Sequence, residues 1–451
     1  MSRDTASLRD ADRRHVWHPF TQMREWCAHP QLVIEAGEGC ELIDTDGNRY
    51  LDGVASLWAN VHGHRHPRLD AALAEQTSRI AHCTMLGLAN VPATELAERL
   101  VAMTPARLRK VFYAGDGAAA VDVAVKMAFQ YWALRGVEGR DLFLKLDEAY
   151  HGDTVGAVSV GGMNLFHGIF GPLLFATEAV PTPNAYRRPH ELSVEDYEET
   201  AAAAMESSVE RLRDRLAAVI VEPRVQAAAG MLTHPDGYLR RVREACDRND
   251  VLMIVDEVAT GFGRTGTMFS CEAEGVEPDL MTLGKGLTGG YITLSAVLTS
   301  DRVYDAFLGA PEDGRTFYHG HTYTGNPLAA AVALASLDVF EDEDVIEGLP
   351  PKIEAMATAL AEHVAPHPHV GDVRQIGMMV GVELVSDRAT KELFPVQRQA
   401  GNRVCARAVG HGVVIRPLGD VLVLMPPLAM SVEQIRRLVE VLGTCLTEEL
   451  G

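Results

Sequence analysis

The sequence predicts an α/β fold built on a large, mostly parallel sheet, with a smaller α+β unit towards the C-terminus. Short apolar runs alternate with helical segments from about residue 68 to residue 340, and several of these runs are apolar on both faces. Strands inside parallel sheets have this character, because helices cover both sides of the sheet. The alternation therefore indicates a doubly wound or related mixed sheet.

Composition narrows the class of protein. The 451 residues (49.0 kDa) suit one large domain and one smaller domain. A formal net charge of −21 disfavours nucleic acid as a partner, because its phosphates would be repelled. Seven scattered cysteines without a CxxC pair favour reduced thiols. The N-terminal segment is charged and no run of 18 apolar residues occurs, so we expect no secretory signal, no membrane span and a cytoplasmic protein.

Residues 1–60 are predicted to contribute to the small domain and to the active site. Segment 32–53 alternates apolar and polar positions and is broken at Asp46-Gly47-Asn48, a hairpin turn signal that predicts a small antiparallel meander. Segments 67–83 and 93–104 follow with helical periodicity.

The large domain is predicted to span residues 61–340. Helices such as 237–250 lie between its apolar runs, and the Ala-rich segment 325–340 predicts a long helix suited to bridging domains. Five runs bounded by turn or helix signals are predicted as buried strands: 110–115, 142–146, 217–223, 251–258 and 280–286.

Residues 341–451 are predicted to form the separate small α+β domain. An acidic stretch at 340–345 and two prolines at 350–351 mark its beginning. Its predicted elements are a helix at 352–364, strands near 375–385 and 413–424, and a closing helix at 431–449.

Two charged residues stand at the ends of apolar strands. Asp256 closes the most apolar strand of the chain, where a charge is rarely placed without a partner. It could instead cap a helix, but the glycine-rich segment 259–266 that follows is not strongly helical. Lys285 lies among four glycines, which allow close approach of backbone and cofactor. A surface lysine with its amine in solvent is the alternative, and the spacing excludes a Walker A loop.

Taken together, these residues indicate cofactor chemistry at one edge of the sheet. A lysine amine condenses with an aldehyde, and a carboxylate can keep a pyridinium ring electron-withdrawing. Ligands of α/β proteins bind at the carboxyl ends of the strands. Gly117 and Ala118 follow strand 110–115 and open a helix, which makes a natural phosphate cradle. Tyr150 follows strand 142–146 and offers a ring for stacking.

The chain resembles the class III (ω-type) pyridoxal-phosphate aminotransferases from about residue 15 to its C-terminus. The motif D-E-V-A-T-G-F-G-R-T-G at 256–266, followed by G-K-G-L-T-G-G-Y at 284–291, is highly specific for this family. Further stretches resemble the branch that converts 8-amino-7-oxononanoate to 7,8-diaminononanoate in biotin biosynthesis: residues 17–23, 58, 61–64, 126–132, 150–154, 416–420 and 425–427.

The resemblance implies a fold type I pyridoxal-phosphate transferase with a mixed, mostly parallel sheet of the seven-stranded type. It also implies a two-stage transamination with ping-pong kinetics. Lys285 would be the Schiff-base and proton-transferring lysine, and Asp256 would pair with the pyridine nitrogen. Tyr150 would stack on the ring, with His151 beside it among the cofactor-binding residues.

The same resemblance implies the remaining site residues and the partner. Gly117 and Ala118 would offer backbone N–H groups to the phosphate. Thr322 would reach the phosphate of the neighbouring subunit, so a homodimer would share its active sites. Substrate-binding positions match as well: Phe20, Trp58, Tyr150, Gly320 and Arg416, the last for the substrate carboxylate. Asp153, Glu222 and Arg264 match positions near the site without an assigned role.

Several alternatives stay open from the sequence. The branch members that use S-adenosylmethionine carry Tyr where this chain has Phe20 and Val423, and Phe20 with the stretch 416–420 looks more like the branch that takes lysine as donor. Trp58 could be plain core, and Arg416 an ion-pair arginine. The cluster of His18, His62, His64 and His66 lacks a Cys or carboxylate to complete a shell, so no metal is expected.

Two rival functions follow from these alternatives. The first is another ω-aminotransferase, acting on diamines or β-amino acids. The second is a non-catalytic nucleotide-binding or scaffolding α/β protein.

Overall fold

A computed structural model of the chain describes residues 4–451. The helices are α1 (Thr5–His15), α2 (Met23–Ala28), α3 (Ala55–Trp58), α4 (Pro67–Arg79), α5 (Val91–Met103), α6 (Gly117–Leu134), α7 (Val155–Val160), α8 (Asn164–His167), α9 (Val194–Leu212), α10 (Tyr238–Arg248), α11 (Asp301–Tyr304), α12 (Pro327–Asp342), α13 (Leu349–His363), α14 (Ala400–Gly410) and α15 (Val432–Leu450).

The strands fall into three larger sheets and one two-stranded ribbon. They are β1 (Ile34–Glu38), β2 (Glu41–Asp44), β3 (Arg49–Asp52), β4 (Leu108–Ala114), β5 (Leu142–Leu146), β6 (Thr177–Val180), β7 (Leu216–Val221), β8 (Val225–Gln226), β9 (Leu232–Thr233), β10 (Leu252–Asp256), β11 (Leu280–Leu283), β12 (Ser295–Ser300), β13 (Val370–Ile376), β14 (Met379–Leu384), β15 (Val413–Val414), β16 (Arg416–Leu418) and β17 (Val421–Leu424).

The central sheet has seven strands in the order β4-β12-β11-β10-β7-β5-β6. Only β12 runs against its neighbours β4 and β11, and the other pairs are parallel. The predicted mixed, mostly parallel sheet of the seven-stranded type is therefore confirmed. All strands except β12 end at the same edge, which gathers their following loops in one place.

The residues of β10 explain why the sheet is buried on both faces. Leu252 and Ile254 join the cluster around α6, whereas Met253 and Val255 join the core on the opposite face, which includes α10 and α12. Successive side chains of a strand point to opposite faces, so an uninterrupted apolar run fits a sheet between two helical layers.

The predicted N-terminal meander is present as β1, β2 and β3, with the β2–β3 turn at the predicted Asp46-Gly47-Asn48. The structure adds a fourth strand, because β15 from the C-terminal part pairs in parallel with β3. The predicted domain limits at 60/61 and 340/341 stay predictions. The pairing does link the first 60 residues to the C-terminal segment.

The C-terminal part differs from the two strands expected there. Segment 375–385 contains the end of β13, a turn at 377–378 and the whole of β14, and segment 413–424 divides into β15, β16 and β17, which belong to two sheets. Gly377 and Gly419 have φ of 57° and 61°, which glycine adopts without strain and which reverses the chain at both places.

The sequence pattern missed several elements, among them β6, β12 and α14. β6 reads T-E-A-V and is an edge strand in which only Val180 is buried, so it has no apolar run. β12 reads S-A-V-L-T-S and is completely buried, but its small and hydroxylated residues lack a strong apolar signal.

Across residues 4–451, no helix is both long and apolar enough to cross a membrane.

Candidate active site

A cavity of about 770 Å³ lies at the carboxyl edge of the central sheet. The loops that follow β4, β5, β7, β10 and β11 all contribute to its wall, as expected for strands that end at one edge. Seven predicted site residues line it: Trp58, Gly117, Ala118, Tyr150, His151, Asp256 and Lys285.

Asp256 is fixed at this edge by three hydrogen bonds. Its Oδ1 accepts from Thr282 Oγ1 at 2.8 Å and from the Val258 backbone N–H at 3.1 Å. Its Oδ2 accepts from His151 Nδ1 at 2.7 Å. The alternative of a helix cap is excluded, because no helix begins in the residues that follow. The buried carboxylate is thus oriented by its neighbours and borders the cavity.

Lys285 enters the same cavity from the end of the neighbouring strand β11, which pairs with β10. Its backbone has φ of 41°, which turns the chain directly after the strand. Burial lowers the pKa of its amine from 10.5 to about 8, and the nearby Asp256 and Glu222 carboxylates oppose part of that shift. Its Nζ lies 4.7 Å from the centre of the Trp58 ring. The alternative of a surface lysine therefore does not hold.

The N-terminus of α6 forms a cradle in the wall of the same cavity. Asp116 caps the helix by accepting from the Ala119 N–H at 2.9 Å, which leaves the N–H groups of Gly117 and Ala118 without an intrahelical partner. A Cβ on Gly117 would lie 2.6 Å from Val258 Cγ1. A side chain at this position would require Val258 to shift, whereas glycine leaves the backbone open to the cavity.

Tyr150 and Glu222 form a further wall. Glu222 is buried and accepts from the backbone N–H groups of Tyr150 at 3.1 Å and Ala227 at 3.0 Å. Burial raises the pKa of Glu222 to about 7, partly opposed by His151. The Tyr150 hydroxyl donates to Asp153 at 2.7 Å. The Glu222 carboxylate thus joins the loop that follows β5 to the loop that follows β7. The sequence predicted Glu222 near the site but assigned it no role.

Four predicted site residues lie outside the cavity lining of this chain. Phe20 is 57% exposed, and its ring lies 5.4 Å from that of Phe166. Gly320 and Thr322 lie in the segment between β12 and α12, where Thr322 is exposed. Arg416 lies on β16 opposite Val423, which packs in one apolar cluster with Trp58. Within residues 4–451 it forms no ion pair.

The contacts of Asp256 show a residue that the sequence analysis missed. Thr282 stands next to Asp256 in the strand register and donates to its carboxylate. The signal was available, because Thr282 is the one hydroxyl in the apolar run L-M-T-L. Its position beside Asp256 became evident only once the pairing of β10 with β11 was known.

The cavity fits pyridoxal phosphate. His151 Nε2 is buried without a hydrogen-bond partner in residues 4–451, and Asp256 presents a carboxylate to the same space. The α6 cradle suits a phosphate, and Lys285 supplies an amine. When bound, this cofactor supplies an aldehyde for the lysine and a ring that withdraws electrons from an attached substrate carbon.

Comparison with known proteins decides the family. The profile of the family Aminotransferase class-III matches residues 23–446. The chain belongs to the class-III aminotransferases. The resemblance predicted from the two glycine-rich motifs is therefore confirmed, and the non-catalytic rival is wrong.

Individual relatives cover nearly all of this aminotransferase. The adenosylmethionine-8-amino-7-oxononanoate aminotransferase of Nitratidesulfovibrio vulgaris is 54% identical over 441 residues, which are 96% of this chain and 80% of the relative. The crystal structure of the enzyme with the same name from Methanocaldococcus jannaschii superposes with a TM-score of 0.94 at 46% identity, covering 99% of this chain and 100% of the other. An amine transaminase from an uncultivated Pseudomonas species, solved in its PLP-bound form, superposes with a TM-score of 0.91 at 36% identity, covering 96% and 99%.

Proposed function

We propose that this aminotransferase binds pyridoxal phosphate and transfers an amino group from S-adenosylmethionine to 8-amino-7-oxononanoate, giving 7,8-diaminononanoate for biotin biosynthesis. The observation that carries the proposal is the 54% identity to an enzyme of that name across 96% of this chain. The cofactor is supported by the match between the cavity and its aldehyde, ring and phosphate, and by the PLP-bound relative.

In this proposal Lys285 holds the cofactor and later moves a proton. With a pKa near 8 its amine is partly neutral at pH 7, so it can attack an aldehyde or accept a proton from the substrate carbon. The carboxylate of Asp256 keeps the ring nitrogen protonated, and His151 and Thr282 keep that carboxylate oriented. Tyr150 stacks on the ring, and the two free N–H groups of α6 bind the phosphate.

The substrate channel is proposed to run along Trp58 and Phe20. Trp58 borders the cavity directly, whereas Phe20 reaches it through Phe166, which packs against the apolar cluster that contains Trp58. Arg416 is free of ion pairs within residues 4–451, and its planar guanidinium suits a substrate carboxylate. Apolar side chains along the path and a cation at its end would suit an oxononanoate chain, which is apolar along its length and carries a terminal carboxylate.

A homodimer is proposed to complete each site. Thr322 and Gly320 lie in an exposed segment, as residues that serve a neighbouring subunit would. Several large apolar side chains are exposed as well and supply a surface that a second copy can cover: Trp17, Leu86, Leu165, Ile169, Tyr318 and Tyr323. All seven cysteines are free, which fits the proposed cytoplasmic location.

The donor is decided by supplying 8-amino-7-oxononanoate to the purified enzyme with S-adenosylmethionine or lysine and measuring 7,8-diaminononanoate. We expect product with S-adenosylmethionine and much less with lysine. The reverse result would assign the enzyme to the lysine-dependent branch that Phe20 resembles. The variant Lys285→Ala, assayed in parallel, controls for transfer that does not use the site.

Another ω-aminotransferase activity is the second candidate, favoured by the likeness to the amine transaminase. It predicts conversion of diamines or β-amino acids with pyruvate as acceptor. Turnover of such substrates without turnover of 8-amino-7-oxononanoate would replace the proposal by this one.

A further inference from the structure

A strained turn carries Trp58 to the active site. Ala55, Ser56, Leu57 and Trp58 have φ of 49°, 48°, 72° and 69°, so four successive residues other than glycine adopt the left-handed conformation. Left-handed backbone is disfavoured for L-residues, and such runs persist only where the surroundings hold them. At the end of this turn the indole of Trp58 lies against Lys285. Contacts with the surrounding residues must therefore stabilise the turn against this backbone strain.

Asp52, the last residue of β3, supplies contacts at the start of the turn. Its fully buried carboxylate accepts from the Ser56 N–H at 3.0 Å, from Ser56 Oγ at 2.7 Å and from His64 Nε2 at 3.1 Å. Burial alone would raise the pKa of Asp52, but the hydrogen bonds from His64 and Ser56 outweigh it and hold the pKa below its usual value. The group that faces the turn is thus an ionised carboxylate.

The neighbours of Asp52 are themselves fixed. Asn60 Nδ2 lies 3.2 Å from His64 Nδ1, so one neutral tautomer of His64 accepts from Asn60 and donates to Asp52. The far end of the turn is held by Arg264, whose guanidinium donates to the carbonyl oxygens of Trp58 at 3.3 Å and Asn60 at 2.7 Å. Asp52 is the only acid that touches the turn itself among residues 4–451.

We propose that Asp52 is a positioning residue of the active site: its carboxylate holds residues 55–58 in the left-handed conformation and so keeps the Trp58 indole against Lys285. The proposal rests on the function proposed above for Lys285. The substitution Asp52→Asn tests it, because the amide has nearly the same shape but carries no charge and can accept with one oxygen only.

Two substitutions at Ser56 distinguish between two roles for Asp52: holding the turn in its conformation, or only supporting the folded core. Both Ser56→Gly and Ser56→Ala remove the hydroxyl, but only glycine adopts φ near 48° without strain. If Asp52 acts by opposing the strain, Ser56→Gly added to Asp52→Asn restores the site, and Ser56→Ala does not. If Asp52 only supports folding, the two double variants behave alike.

Two readouts are measured on the holoenzyme. The first is the accessibility of Trp58 to acrylamide, taken as the difference in tryptophan fluorescence between each variant and the same variant carrying Trp58→Phe. The second is kcat for transamination. We expect Asp52→Asn to expose Trp58 and to lower kcat by about fivefold to thirtyfold, the factor to which a free-energy change of about 1–2 kcal/mol corresponds. Ser56→Gly should recover most of both.

Each outcome bears on the proposal. Unchanged Trp58 quenching and kcat in Asp52→Asn, or equal rescue by Ser56→Gly and Ser56→Ala, would overturn it. Should Asp52→Asn not fold, Ser56→Gly and Ser56→Ala are compared in the otherwise unchanged chain, where only alanine should expose Trp58. The fluorescence readout reports the position of Trp58 whatever the substrate is, so failure of the proposed function is distinguishable from failure of this inference.

Discussion

Lys285 and Asp256 take their properties from the ends of two neighbouring strands. The strand register places Asp256 beside Thr282, and the next turn brings Lys285 into the same cavity. Burial favours the neutral amine, while the two carboxylates nearby favour the charged one, and burial is the larger effect. A lysine so placed is reactive close to neutral pH, as an amine that attacks an aldehyde must be.

Replacing Lys285 by alanine removes both the covalent link to the cofactor and the proton carrier. We expect turnover to fall by at least about a hundredfold, the lower end of what general acid–base catalysis contributes. The visible absorbance of bound cofactor should change in the same variant. Turnover at the wild-type rate would show that another residue carries the chemistry.

The pH dependence of cofactor capture follows from the lowered pKa of Lys285. Only the neutral amine attacks an aldehyde, so capture by cofactor-free protein should rise with pH and level off above about 8, not above 10.5. The measurement is the rate at which bound-cofactor absorbance develops between pH 6 and pH 10 after addition of pyridoxal phosphate. A capture rate that still rises about tenfold per pH unit between pH 8 and pH 9.5 would mean that burial does not control this amine.

At the scale of elements, α6 and the strand ends determine where each part of the site lies. The sequence predicted five of the six parallel strands, the helix after β4 and the residues at the strand ends, because apolar runs and glycine-rich turns are local signals. It did not predict β12, whose small residues are buried by neighbours distant in sequence. Nor did it predict that β15 would extend the N-terminal sheet, since a two-residue strand has no pattern of its own.

The cradle at the start of α6 is tested by comparing two glycines. A Cβ at Gly117 would overlap Val258 Cγ1, and overpacking of this kind costs about 1–3 kcal/mol, so Gly117→Ala should weaken cofactor binding by about fivefold to 150-fold. Gly115→Ala is the matched control, because a Cβ there meets nothing within 4 Å. Dissociation constants for pyridoxal phosphate would be measured by equilibrium dialysis, and equal values for both variants would contradict the role of the cradle.

At the scale of the whole molecule, one chain presents most of the site, but not all the predicted residues. Cofactor-facing groups meet in one cavity, whereas Gly320 and Thr322 lie in an exposed segment outside its lining. Sequence motifs could identify these residues but could not place them at a cavity, because in the proposed homodimer they serve the site of the other copy. The large exposed apolar side chains support the same arrangement.

The proposed sharing of the site predicts complementation between two inactive variants. Lys285→Ala lacks the lysine, and Thr322→Glu would repel the phosphate of its neighbour. A mixed dimer contains one site with both residues intact, so coexpressed chains should regain activity well above either variant alone. Activity measured on the purified, separately tagged hybrid is the test, and a hybrid as inactive as its parents would show that each chain completes its own site.

The parallel pairing of β3 with β15 has a consequence for biosynthesis. The turn that carries Trp58 begins where β3 ends, and Arg264 donates both to this turn and to the Pro426 carbonyl at 2.6 Å. The N-terminal strands are synthesised first but pair with a strand near the C-terminus, so the turn that carries Trp58 can be completed only when almost the whole chain has been synthesised. A nascent chain that stops before residue 413 would contain every strand of the central sheet, but it would lack β15 and the Pro426 carbonyl that help to fix the turn.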